Sequence, residues 1–352
     1  MAMEKWHVAI ILAILIGISG CVQQEKEKEI VAGEPNVTVD QPKGPEAVVE
    51  EAPKIPTLAN EIQIGPGRAS SLAGFGSLYV AYQRFTGESD DIYYAIYSDG
   101  KLSKPEKATD ASVDEINANL AVSNGKLYLF YTSAASGAQI SSEINFKEFS
   151  GQKWLAEKNG PEISVVLYPH NQTVLQYNKK LLLFWTKGRP NEQGVIGTQY
   201  YDGETWLDGI KVTAENVNEK NPKVNATKEG GMHLVYEGYA GNAENNEIYY
   251  RYYNGASWSG AESLTGSINA DFFGSGGVVE FNGKVYALWF TGGGIYLSIK
   301  EGRIWSDPIK LEVAGVVDEP TIAEYNGKLF VSYTKIEESG APFVYLAELT
   351  GI

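Results

Sequence analysis

The sequence predicts an all-β chain folded as a single six-bladed β-propeller, and three observations carry that reading. One apolar strand recurs six times, a strand of alternating polarity follows each copy, and Asx-Gly turns ending in Trp close most units. The recurring strand is Gly76–Tyr82, Gly125–Tyr131, Lys179–Trp185, Gly230–Tyr236, Gly283–Trp289 and Gly327–Tyr333, with starts 49, 54, 51, 53 and 44 residues apart. Repetition at that period reads as blades stacked around a circle rather than as a sandwich. The composition agrees: 22 Tyr and 38 Gly in 352 residues suit short strands joined by tight turns.

The following strands include Asp91–Tyr97, Glu143–Phe149, Ile196–Tyr201, Glu247–Tyr253, Gly294–Lys300 and Phe343–Leu349. Their alternation fits third strands with one wetter face. Next come turns such as Asp202-Gly203-Glu204-Thr205-Trp206 and Asn254-Gly255-Ala256-Ser257-Trp258, where Asx-Gly is expected to supply positive backbone dihedrals. Leu102, Trp154, Trp206 and Trp258 lie 52 residues apart, and Trp305 holds the same place in the fifth unit. One large ring per blade is read as a wedge between blades, with a stacking platform for sugar as the alternative. The sixth unit stops at Ile352 without a turn or outer strand, whereas Ala59–Gly65 is strand-like and has no third strand of its own. This N-terminal stretch is expected to become the outer strand of the sixth blade, closing the ring and removing an open edge.

Residues 57–352 are therefore assigned to the propeller, 22–56 to a flexible linker and 1–21 to a targeting segment. The linker is rich in Glu, Lys, Pro and Val without periodicity, and cannot bury enough apolar area to offset chain entropy. As a coil it reaches about 30 Å. Residues 8–18 form an apolar run too short for a bilayer span of roughly 20 residues, as in a signal-peptide core. Ile18-Ser19-Gly20-Cys21 follows it and contains the chain's only cysteine. These residues resemble the lipobox of bacterial and archaeal lipoproteins, which implies lipidation of Cys21, anchoring in the membrane and display on its extracellular face. No thiol then remains for a disulfide, a metal or cysteine catalysis.

The unit of strand, Ile-Tyr-Tyr and Asx-Gly-x-x-Trp resembles the BNR or sialidase-like propellers, and is also similar to six-bladed fucose-binding lectins. That family's Asp-box is degenerate here, since Asp202 and Gly203 are adjacent. A sialidase needs three arginines on the substrate carboxylate. The arginines available are Arg68, Arg84, Arg189, Arg251 and Arg303, of which Arg251 falls within a third strand and Arg303 in a far-face hairpin. No phosphate-cradling loop, nucleophile elbow or His-Glu-x-x-His motif is present, so no cofactor and no metal is assigned. The net charge of -15 repels nucleic acid.

In a propeller the starts of inner strands and the ends of second strands share one face around the channel mouth, where ligands bind repeat folds. Inner-strand starts place Arg68, Asn117, His170, Asn221, Asp271 and Glu319 there. Second-strand ends add Gln83, Arg84, Thr132, Lys187, Arg189, Glu237, Tyr239, Thr291 and Lys335. Amides, aromatics and both charge signs suit a hydroxyl-rich ligand such as a glycan. Glu237 paired with Asp271 or Glu319 is the candidate for glycoside hydrolysis. The leading expectation is a surface-displayed binding protein for carbohydrate or a surface protein, with a glycosidase or a scaffold of a membrane-bound complex as alternatives. His233, in mid-strand, is read as a packing residue. Asn36, Asn171 and Asn225 begin triplets that fit N-glycosylation acceptors, a pattern common by chance.

Overall fold

A computed structural model describes residues 54–134, 142–161, 172–187, 194–212, 218–239, 246–266, 268, 270 and 273–352. The targeting segment with Cys21, nearly all of the linker, Asn36, His170, Asn171, Arg189 and Asp271 lie outside the described residues, as does the Lys187 side chain. The rest folds as six antiparallel sheets, four of four strands and two of five, with no helix among the described residues. From blade 1 to blade 6 the inner strands are Arg68–Phe75, Asp114–Ser123, Thr173–Tyr177, Glu219–Ala226, Gly274–Phe281 and Val316–Tyr325.

Blade 6 is built from both ends of this region. Thr57–Pro66 pairs antiparallel with Pro342–Thr350, in a register running from Thr57 opposite Thr350 to Pro66 opposite Phe343. Ile64 is buried there beside Val344 and Leu346, and the Tyr333 hydroxyl donates to the Glu61 carboxylate. The expected closing strand is therefore present, and it covers the edge that Pro342–Thr350 would otherwise leave open.

Turn chemistry sets the hairpins. Asn124-Gly125, Asn282-Gly283 and Asn326-Gly327 each have positive φ at both residues, the two-residue geometry that matches strand twist. The outer turns differ from the expectation. Only Asp99-Gly100 has positive φ at both positions, whereas in blades 3 and 4 the glycine alone does. There the Asx side chain works as an acceptor instead: Asp202 Oδ1 receives the amides of Glu204 and Thr205 at 2.9 Å, and Asn254 Oδ1 those of Ala256 and Ser257 at 2.9 Å.

The core lies between blades. Each Trp meets an aromatic ring of the preceding blade: Trp154 with Tyr94, Trp206 with Phe130 and Phe146, Trp258 with Phe184, and Trp305 with Tyr250, all edge to face. The rings are wedges, as expected. Trp206→Ala should therefore lower the melting midpoint in a thermal scan, and an unchanged midpoint would contradict the wedge role. His233 is buried, its Nδ1 2.8 Å from the Tyr250 hydroxyl, in keeping with packing.

Around the channel, side chains of one inner strand receive backbone amides of the next. Ser71 Oγ accepts Leu120 N–H and Asn119 Oδ1 accepts Val174 N–H, each at 2.9 Å, while Asn225 Oδ1 accepts Glu280 N–H at 3.4 Å. These latches satisfy inner-strand groups that no further strand could pair. Asn225 thus sits on the channel wall.

Candidate functional site

Five inner strands carry a β-bulge just inside the mouth, at residues 68–71, 116–119, 220–223, 275–278 and 318–321. The first bulge residues are Ala69, Asn117, Asn221 and Glu319, all with positive φ between 48° and 56°, whereas in blade 5 the unpaired residues are Gly276 and Gly277, after Ser275. Asn tolerates this left-handed conformation, whereas Glu rarely adopts it. A strained glutamate where two other blades carry Asn marks a place worth functional scrutiny.

Superposing the repeats by register exposes two further departures. The residue after each second-strand core is Gln83, Thr132, Thr186, Glu237, Phe290 and Thr334, so only blade 4 is ionisable there. Two positions beyond the bulge the wall carries Ser71, Asn119, Thr173, Lys223, Gly277 and Thr321, so blade 4 again supplies the only charge. Glu237, Glu319 and Lys223 all line one cavity of 240 Å3 at the mouth, together with Asn117, Asn221, Gln172, Ser275 and Asp318. Lys223 also faces the central channel below, a space of 750 Å3.

The geometry fixes each group. Gln83 Oε1 accepts Asn117 N–H at 3.5 Å, Thr186 Oγ1 accepts Asn221 N–H at 2.9 Å, and Glu237 Oε1 accepts Ser275 N–H at 3.2 Å. Glu237 therefore occupies a blade latch that neutral side chains serve elsewhere, and Asn221 also donates to it. Burial nonetheless pushes its carboxyl up, against the lowering effect of those bonds and of Lys223. Glu319 is likewise pushed up, first by burial and then by Asp318, while Lys223, Arg68 and the Ala69 amide act in the opposite sense. Burial lowers the Lys223 ammonium although Glu319 and Glu237 favour its charge. Asn117 Nδ2 is buried and has no hydrogen-bond partner among the described residues.

Several predicted rim residues stay out of this cavity. The Arg68 guanidinium stands 3.7 Å from Asp90, and that of Arg84 lies over the Tyr93 ring at 4.8 Å. Tyr239 packs under Lys220, whose Nζ is 5.5 Å from the ring centre. Arg251, which the sequence places in a third strand, is held there by Glu219 at 2.9 Å and by the Val212 carbonyl, from the outer segment of blade 3, at 3.1 Å. The cavity thus unites Asn117, Asn221, Glu237 and Glu319 from the sequence reading with Lys223, Gln172, Ser275 and Asp318, which that reading missed. Lys223 gives no signal in the sequence, because it aligns with Ser71, Asn119 and Thr321 only once the bulge is placed. Among the described residues no three His, Cys, Asp or Glu side chains are grouped to hold a metal ion.

Known structures share this architecture. A Dyadobacter fermentans protein of unknown function matches with a TM-score of 0.67 at 13% identity, over 84% of this chain and 98% of its own. A Penicillium chrysogenum α-L-arabinanase complexed with arabinobiose matches at 0.59 and 15% identity, over 83% and 98%. Trypanosoma rangeli sialidase in complex with the inhibitor DANA matches at 0.58 and 10% identity, over 81% of this chain and 55% of the sialidase. The chain has the fold of the sialidase and arabinanase propellers. No protein-family profile and no curated protein matches the sequence of this propeller. At such identities the likeness carries architecture alone, since one propeller fold hosts many sites.

Burying three ionisable side chains, Glu237, Glu319 and Lys223, should cost this propeller stability, since burial penalises the charged form of each. The folded chain holds the Glu237 and Glu319 protons above the unfolded pKa of about 4.3, so their contribution is fully present below that pH and is lost as pH rises through the raised values. Glu319→Asn restores the residue found in blades 2 and 4, removes a buried carboxyl and eases the backbone strain. It is expected to stabilise by about 0.5–2 kcal/mol at neutral pH, with a smaller gain near pH 4. Chemical denaturation at both pH values tests this, and a destabilised variant would mean that attraction to Lys223 outweighs burial.

Proposed function

We propose that this propeller is a carbohydrate-binding protein that holds one neutral sugar ring in the mouth cavity and is displayed on the outer cell surface through a lipid on Cys21. The supporting observation is the convergence of the charged departures from the repeat, Glu237, Glu319 and Lys223, on one cavity with amide groups around it. Its 240 Å3 is below the roughly 300–1,000 Å3 of sites for drug-sized ligands, and suits a single ring. Sugar hydroxyls both donate and accept, so they can pair with carboxylates, the ammonium and the Asn117 amide together. An acidic sugar fits poorly: Asp318 joins the two glutamates, while Arg68, Arg84 and Arg251 are engaged elsewhere.

Calorimetric titration following a glycan array tests the binding reading. Lys223→Met and Glu319→Asn are each expected to weaken binding about tenfold or more, the usual worth of a hydrogen bond to a charged group. An array on which nothing binds would sink the carbohydrate reading and favour a protein partner, to be sought as a stable copurifying component. Membrane fractionation of Cys21→Ser tests the anchor, since the variant should leave the membrane pellet.

A second reading, glycoside hydrolysis, is favoured by Glu237 and Glu319 lining one cavity and both holding protons more firmly than ordinary carboxyls. Chromogenic arabinosides and other neutral glycosides separate the two. A pure binder releases no chromophore, whereas a hydrolase would do so and lose that activity in Glu237→Gln.

A further inference from the structure

Among the described residues Lys223 is the charged side chain that lines both the mouth cavity and the channel. It sits deep in the molecule yet faces open space on two sides, the mouth cavity and the channel below. The influences on its amine are burial and the longer-range attraction of Glu319 and Glu237, with no side-chain hydrogen bond among them. By contrast Lys107, Lys126, Lys284, Lys300 and Lys328 each stand within 3.2 Å of a carboxylate. The register-equivalent positions around the ring are small or neutral, so nothing in blade packing calls for an amine here.

We infer that Lys223 is a carbonyl-reactive amine, which captures the open-chain aldehyde or ketone of a small polyhydroxylated ligand as an imine at the mouth cavity, with Glu319 or Glu237 carrying the protons. The geometry supplies the required parts: an amine that lines both the mouth cavity and the channel, and two carboxyls that line the same mouth cavity. In the step itself the Nζ lone pair forms a bond to the carbonyl carbon while the carbonyl π pair moves to oxygen. One N–H proton passes through a carboxylate to that oxygen, giving a carbinolamine. A carboxyl proton then takes the hydroxyl away as water, leaving an iminium whose remaining N–H proton returns to the carboxylate to give the imine, so amine and carbonyl give imine and water with no oxidant or reductant. Burial that lowers the ammonium and raises both carboxyls favours this distribution of protons.

This inference goes beyond glycan binding and does not need it, since a chain that binds no array sugar can still carry such an amine. The test incubates the full-length chain with D-glyceraldehyde and sodium cyanoborohydride, then maps alkylated lysines by peptide mass spectrometry across pH. At pH 7 an ordinary exposed lysine is uncharged in about one molecule in 2,500, so Lys223 should be labelled at least about tenfold faster than the exposed lysines. Unfolding in urea should erase the difference. Glu319→Gln and Glu237→Gln should each lower the plateau rate at Lys223 and move its pH profile downward, leaving exposed lysines unchanged. Measuring both variants guards against one that fails to fold. A Lys223 rate no higher than that of exposed lysines overturns the inference, as does a fast rate insensitive to both acids.

Discussion

Removing residues up to Pro66 should abolish cooperative folding of the propeller. Thr57–Pro66 is the outer strand of blade 6, and its loss strips the hydrogen-bond partners from Pro342–Thr350 and uncovers Val344 and Leu346. A ring fastened by one strand fails differently from a repeat array with free ends: blade 6 would be left with three strands and an exposed, mostly apolar edge. The expected result is a broad, low-temperature transition and aggregation, monitored by circular dichroism and light scattering. A permuted chain that carries the Thr57–Pro66 segment after Ile352 should recover a sharp transition, because the pairing needs proximity rather than order in the chain. Retention of a sharp transition by the truncated chain would show that closure contributes little.

Trp289→Ala should be the most damaging single substitution, costing about 3–5 kcal/mol. Trp289 is fully buried, stacks on Tyr296 at 4.5 Å with the planes 9° apart, and packs on Phe273 at 5.7 Å. It belongs to a cluster shared between blades 4 and 5 that includes Val235, Ile248 and Tyr250. Its indole N–H also donates to Ser298 Oγ at 3.2 Å, so truncation leaves a buried hydroxyl unpaired as well as a cavity. Trp206→Ala removes a half-buried ring and should cost markedly less. Urea denaturation of the two variants gives the comparison, and equal losses would mean that the junction between blades 4 and 5 is no tighter than the outer wedges.

The mouth shows how far repetition can be read. In the sequence, Glu237 and Glu319 stand out as acids near strand ends, but their partner Lys223 reads as one lysine among many. It becomes distinctive only once the bulge fixes which inner-strand residues face the channel, because a bulge adds one residue and so reverses which side chains point inward. Three of the arginines illustrate the converse. Their number leaves a sialidase triad conceivable, whereas Arg68 beside Asp90, Arg84 over Tyr93 and Arg251 on Glu219 are each engaged away from the cavity.

By itself the sequence determined the six-fold repeat, the strand roles within each unit, the Trp wedges and the closing N-terminal strand. All of these follow from local periodicity and from the need to bury one face of every strand. Only the tertiary structure decided which charges meet. Glu237 and Lys223 lie on neighbouring strands of blade 4 while Glu319 comes from blade 6, and their company depends on bulge register and channel diameter. Those quantities arise from packing all six blades against one another, and no single segment encodes them.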